Sequence, residues 1–359
     1  MNNKLLLFLL FTVPSITFGQ GLPGGGGDDA AVHNDKKFSF VPVPYINYDR
    51  SLGFSLGALP MGMYNLSKKD TISPSSISGL FGMYTTNDTW FGMGFSKFYL
   101  KEDKWRISVA GGVGAVNFQF FFDNPISSKF IDYTTNLTFA QIQVQRKIYK
   151  KLYFGLNYTY LSYDTQFDTK FPEITQTTSI LHGIGLILAY DQRDNVYYPH
   201  KGFVSNLKYT TFPSAFNENE SNKVELDYNK FFEMKNKKDV IAARAYAGVA
   251  VGDLDFNQQF IVGSSDIRGY SQGVYRGDQI VTLQGEYRWN PLPKLGFVGF
   301  LGGAMVFNSI NEQDDAKLLP GVGAGFRYNV FPKNHMNIGM DAAIGDGDWS
   351  LDFKIGEAF

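Results

Sequence analysis

Few residues in this chain have the type and spacing to do chemistry. Gly53-Phe54-Ser55-Leu56-Gly57 has the spacing of a serine nucleophile elbow. Such an elbow needs a strand, a sharp turn and then a helix. Ser55 instead sits in strand-like alternation, so no catalytic role is expected. His33, His182, His200 and His335 show no metal-ligand spacing to one another. There is no Cys, which excludes disulfides, thiolate metal sites and Cys nucleophiles. Gly321-Val322-Gly323-Ala324-Gly325 is not followed by a helix, so it makes no phosphate cradle. It reads as a face of small residues that leaves an interior open. No enzyme activity, cofactor or metal is expected, and 33 Lys+Arg against 34 Asp+Glu give no footprint for nucleic acid. What remains is charge that can fix position. Arg268, beside Gly269, and Glu286 could form a directional guanidinium–carboxylate pair.

That pair needs a strand to aim Glu286 and a long loop to deliver Arg268. Ile280–Trp289 alternates with period two. Val281, Leu283, Tyr287 and Trp289 lie on one face, and Thr282, Gln284, Glu286 and Arg288 on the other. The same texture recurs in Ile241–Val251, in Val322–Val330 and at the C-terminus. There Trp349, Leu351, Phe353, Ile355 and Phe359 form the apolar row. Gly is 38 of 359 residues, with 33 Phe and 21 Tyr. Aromatic- and Gly-rich, and without long apolar runs, the chain fits an antiparallel transmembrane β-barrel. Sixteen strands are expected over 38–359, from 40–48 to 349–358, the first three being the least distinct. A polar lumen would receive loop 252–279, the longest connection.

The N-terminus sets the compartment. Lys4, the apolar run Leu5–Val13 and small residues at Thr17 and Gly19 read as a cleaved secretory signal over 1–19. Residues 20–37, with Gly24–Gly27, read as a flexible linker. The connections sort by charge. Those on the side of 49–53 hold 17 Asp+Glu and 7 Lys+Arg, and those on the side of 67–75 hold 7 Asp+Glu and 15 Lys+Arg. The acidic, longer set is expected outside the cell, and the basic turns would face the periplasm and anionic headgroups. In the first strand, Pro42 and Pro44 have no N–H to donate and lie on one edge. This predicts a weak seam between strands 1 and 16, the alternative being that the prolines lie below the membrane and only lead into the barrel.

Two segments resemble the BamA/TamA-type outer-membrane barrels of the bacterial surface antigen family. Asp191-Gln192-Arg193-Asp194-Asn195-Val196-Tyr197-Tyr198-Pro199-His200-Lys201-Gly202 is similar to that family's D-x-R-D turn, through Asp191, Arg193, Asp194, Tyr198, Pro199 and Gly202. Ile267-Arg268-Gly269-Tyr270 resembles its V-R-G-F/Y loop motif. Terminal Phe359 resembles the aromatic signal of barrels delivered to the outer-membrane assembly machinery. The resemblance covers about 38–359. It implies a bacterial outer-membrane barrel in contact with outer-membrane lipids. It also implies assistance in inserting or translocating client outer-membrane proteins or lipids through the strand 1/strand 16 seam. A passive pore for small solutes is the alternative. There are departures from the family. The glycine linker stands where periplasmic POTRA domains are usual, so the chain resembles a short member lacking them. Gly302 stands where the family's strand-13 motif has Asp, leaving Glu286 as the expected partner of Arg268.

Overall fold

The computed structural model describes residues 38–359 except 50–51, 125–126, 169–175, 255–257, 264–265, 272–274, 310–314 and 332–335. The side chains of 49, 118–132 and 167–168 are likewise outside the description. The expected signal segment 1–19 and linker 20–37 lie outside the described residues.

The described residues form one closed antiparallel barrel of sixteen long strands. In chain order these are β1 Phe38–Asp49, β2 Gly53–Tyr64, β3 Ser76–Thr85, β4 Trp90–Leu100, β5 Trp105–Asn124 and β6 Ser127–Tyr149. Next come β7 Leu152–Asp168, β8 Gln176–Asp191, β9 Gly202–Phe212, β10 Ser221–Glu233 and β11 Val240–Gly252. The last five are β12 Arg276–Trp289, β13 Leu295–Ser309, β14 Leu319–Phe331, β15 Met336–Ile344 and β16 Trp349–Ile355. A two-residue piece, Phe260–Ile261, pairs with Gly277 and Arg276 at the start of β12. Every consecutive pair of long strands is antiparallel neighbours, and β1 meets β16 to close the ring.

The alternation has a physical outlet on each face. Leu283 is 62% and Leu301 67% exposed, while Glu286 and Arg327 are each 2% exposed. So much outward apolar surface would be a liability in water. Against acyl chains it is what a closed barrel must present, since closure pairs the backbone groups that lipid cannot. β5 and β6 have 20 and 23 residues. A membrane crossing needs about 9–11, so this hairpin extends well past it.

The interior has two halves. Around β10–β16 it is polar and charged. Around β1–β4 it is apolar: Leu59, Met61, Met63, Phe81, Phe91 and Met93 point inward and are buried. They pack in one cluster with Val116, Leu137, Tyr163 and Leu181 from β5–β8. With apolar residues on both faces, the first strands lose the polar/apolar contrast that marks a strand, which is why they are the faintest in the sequence. β16 also ends at Ile355, not 358. Gly356 turns the backbone at φ +78° and Phe359 is buried, so Phe359 does not extend the row begun by exposed Trp349, and Phe353 and Ile355 pack against the apolar cluster.

The charge sorting predicts an orientation. Cys introduced at exposed Glu218 should react with an impermeant maleimide on intact cells, and Cys at exposed Lys237 should not. Labelling at Lys237 alone would invert the topology.

Candidate functional site

Arg268 is 1% exposed and sits at the centre of a buried ion network. Its Nη1 donates to Glu286 Oε2 at 2.8 Å and to Asp341 Oδ2 at 2.7 Å. Its guanidinium lies 3.3 Å from the ring centre of Phe300. Arg327 donates to both oxygens of Asp341, at 2.5 and 3.1 Å, and through Nε to Glu357 at 3.1 Å. Arg288 donates to Glu286 Oε1 at 2.8 Å and to the Phe359 carbonyl oxygen at 2.7 Å. Four strands, β12 to β15, and the C-terminal segment are thus tied to one loop residue. Ionised and directional, such bonds set geometry more firmly than neutral ones.

The rest of the motif is held as closely. Gly269 has φ +105°, and a Cβ there would run into the Ile344 backbone. Its N–H donates to Ser350 Oγ at 3.0 Å. Tyr270 Oη donates to the Pro320 carbonyl at 2.6 Å and accepts from the Asp346 N–H at 2.9 Å. Ile267 is buried among Ile280, Ala304, Val306 and Leu319.

Two expectations change. Gly302 does not cost Arg268 its second carboxylate, because Asp341 on β15 supplies it. Gly302 instead makes room: a side chain there would press on Gln284 and Ile267. The Gly321–Gly325 run does not leave the interior open. Its glycines admit Ile267 and the Arg268 carbonyl at Gly321, the Phe300 ring at Gly323 and the Asp341 carboxylate at Gly325.

A second anchor lies two residues earlier in the loop, at Asp266. Arg244, on β11, pairs with Asp227 at 2.6 Å and lies 3.6 Å from Asp266. Burial, with Asp227 and Glu225 nearby, outweighs Arg244 and pushes the Asp266 carboxyl up to about 6 from 3.8. A carboxyl raised in the folded state binds protons that the released loop would not. Its contribution is therefore full below pH 3.8 and is lost as pH rises through 6. Docking of this segment should tighten by about 2 kcal/mol from pH 7 to pH 4, given ~1.4 kcal/mol per unit and some solvent screening. Hydrogen exchange over 258–271 should show it, and Asp266→Asn should remove the dependence. A dependence that persists in Asp266→Asn would assign it elsewhere.

The 191–202 turn closes one end of the barrel. Asp191 accepts from Arg193 at 2.9 Å and from Arg106 of β5 at 3.0 Å. Arg106 also grips Asp103, which receives the Tyr153 hydroxyl. Asp194 Oδ1 accepts the backbone N–H groups of Asn195, His200 and Lys201. Gly202 has φ +99°, and a Cβ there would strike the Gln192 carbonyl. From this frame Tyr197 reaches the Ser75 carbonyl at 2.5 Å, and Tyr198 Oη accepts from Asn290 at 2.6 Å. Pro199 is buried beside them. Tyr198 packs with Phe231, Val240 and Phe359.

At the seam the register gives, among the described residues, one pair between β1 and β16, Tyr48↔Leu351. The β1–β2 ladder runs the whole length of β1, and in it Pro42 faces Pro60. Two prolines exchange no hydrogen bonds, so this is a non-hydrogen-bonded pair whose N and C=O groups turn away from the partner. Pro42 and Pro44 therefore present their missing donors to β16. The Tyr45 ring fills the gap, edge-on to Phe81 at 4.9 Å and to Phe353 at 5.5 Å.

The other candidates take structural places. Ser55 is buried in mid-β2, where strand continues. His182 accepts or donates at Tyr158 Oη, and its backbone is clamped by Asn217. His33 and His335 lie outside the described residues. Asp341, Arg327 and Glu357 were not singled out from sequence. For Arg327 and Asp341 the only signal is a polar residue at an inward position of β14 and β15, and Glu357, past the end of β16, has none.

A family profile described as the Omp85 superfamily domain matches residues 75–359. Among solved structures, BamA from Haemophilus ducreyi lacking POTRA domains 1–3 aligns with TM-score 0.58 and 13% identity, over 90% of this chain and 70% of that one. CdiB from Acinetobacter baumannii gives 0.59 and 15%, over 89% and 60%, and CdiB from Escherichia coli 0.58 and 12%, over 89% and 65%. At these identities the likeness is one of fold, and this chain spans 60–70% of the length of those structures. No curated protein matches the chain.

Proposed function

This chain belongs to the Omp85 superfamily, and from that premise we propose that it is a non-catalytic factor that helps insert or translocate proteins or lipids at the bacterial outer membrane, through the seam between β1 and β16. The observation that carries the reading is the contrast between that seam and the wall beside it. Among the described residues one registered pair joins β1 to β16, whereas β1 pairs with β2 along its full length. Separating a long antiparallel ladder exposes many backbone groups to lipid, each costing several kcal/mol. Separating one pair costs far less. The Arg268 network keeps β12–β15 and the last residues rigid while the seam stays weakly joined. Clients are outer-membrane proteins or lipids that enter the bilayer sideways.

A passive pore would need an open lumen. Here the inward faces of β1–β4 form an apolar core, and the Arg268 loop packs on the inner wall of β12–β15. Depletion in the native host, followed by quantitation of outer-membrane proteins and lipids, tests the proposal. Loss of particular proteins or altered lipid content is expected. Unchanged composition together with reduced uptake of small solutes would favour the pore.

A further inference from the structure

We propose that the outward face of β1–β5, at the end carrying turns 65–75 and 101–104, is a site for one anionic diacyl phospholipid. The proposal rests on the reading of the chain as a membrane-spanning barrel. It goes beyond that reading by naming a bound lipid away from the seam.

Three observations meet there. The first is a groove of about 480 Å³ on the outside of the wall, a size usual for small-molecule sites. Phe38, Phe40, Leu80 and Val109 form its apolar sides. Gly94 keeps its floor low, and the Phe38 ring covers Gly62. Most of the outward wall is studded with large side chains, so this is a recess into which an acyl chain can settle.

The second is a run of hydroxyls in the same groove. Tyr64 Oη and Ser78 Oγ are 2.7 Å apart, and Ser78 Oγ and Ser96 Oγ 2.8 Å apart. Ser78 pairs in register with Gly62 and with Ser96, so the row crosses β2, β3 and β4 on the lipid side. Polar groups facing hydrocarbon are costly. Three hydroxyls carry three donors, and their two mutual bonds use two. One donor and several lone pairs remain for an ester or phosphate oxygen at the headgroup boundary.

The third is charge above the groove. Turns 65–75 and 101–104 carry exposed Lys68, Lys69, Lys101 and Lys104. The turns are fastened together: Asp70 accepts the Glu102 N–H at 2.8 Å, and Ser73 Oγ accepts the Asp103 N–H at 2.7 Å. The Asp70 carboxylate is thus engaged within the turns, and that of Asp103 is held inside by Arg106 and Tyr153. Glu102 is the exposed acid among four lysines, and it pairs with Lys104. The rim therefore favours an anionic headgroup, with the acyl chain in the recess and the ester region on the hydroxyl row.

Native mass spectrometry of the whole folded chain, released from micelles containing phosphatidylglycerol and phosphatidylethanolamine, tests this. One phosphatidylglycerol should be retained, favoured about tenfold or more, as several lysines at a membrane surface would give. Replacing Lys68, Lys69, Lys101 and Lys104 by Ser should abolish the preference. Gly94→Leu, which fills the recess, should abolish retention while the unboiled barrel keeps its gel mobility. Soluble glycerol phosphate should not compete. Equal retention of both lipids, or retention unchanged in both variants, would overturn the proposal. Competition by glycerol phosphate would overturn it in favour of a simple phosphate site, and a dimer mass sensitive to Gly94→Leu in favour of a second copy. A chain that never enters micelles as a folded, heat-modifiable species would instead contradict the membrane-barrel reading, so the two failures are distinguishable.

Discussion

Arg268→Ala should lower the stability of the folded barrel by about 3–5 kcal/mol, the usual cost of breaking a buried ion pair from one side. Among the six residues of the network, removal leaves Glu286, Asp341 and Glu357 facing only Arg288 and Arg327. Two of those carboxylates lose a bond shorter than 2.9 Å, and the Phe300 ring loses the cation over its face. Gly302 does not soften the effect, because Asp341 stands in for the missing acid. The measurement is urea unfolding in micelles, followed by loss of heat-modifiable mobility. Paired cycles with Glu286→Gln and with Asp341→Asn should each give a coupling above about 1 kcal/mol. Additive effects in both cycles would mean that Arg268 is not held by these carboxylates in solution. Arg268→Lys should recover part of the loss: it restores the charge but not the flat guanidinium stacked on Phe300.

The barrel was readable because its outward face is uniform. Along β12, Val281, Leu283, Tyr287 and Trp289 all meet the same solvent, so period two survives in the sequence. The pairing of Arg268 with Glu286 was readable for a narrower reason. The motif puts a cation at a loop tip, and the alternation turns Glu286 inward. What decides the network lies between strands and leaves no local pattern. Asp341 and Arg327 are inward polar residues, and from sequence either could face lumen water. Only the register Gly325↔Asp341, next to Arg327, puts them under Arg268. The apolar interior of β1–β4 was hidden differently. Leu59, Met61 and Met63 alternate with Ala58, Pro60 and Gly62. Neither set is polar, so periodicity cannot tell which faces lipid. The inward turn of the terminus depends on Gly356 and on Glu357 meeting Arg327 and Asn337. A reading that extends the last strand to its end has no means to anticipate this.

The seam carries the account of function, and it can be locked. The register Tyr48↔Leu351, continued along both strands, sets Tyr45 opposite Lys354. The chain has no Cys, so a Tyr45→Cys/Lys354→Cys variant can form only the intended bond. A disulfide needs Cα atoms within about 7 Å, so oxidation captures the closed seam and holds it. The locked barrel should remain folded, with unchanged gel mobility, since it gains a link and loses only the Tyr45 ring from the gap. The single variants Tyr45→Cys and Lys354→Cys should support normal outer-membrane composition. The most direct measurement is complementation of a depleted host by the oxidised double variant, with outer-membrane proteins and lipids quantified before and after reductant. The locked barrel should fail and reductant should restore it; full activity of a completely oxidised barrel would contradict lateral opening.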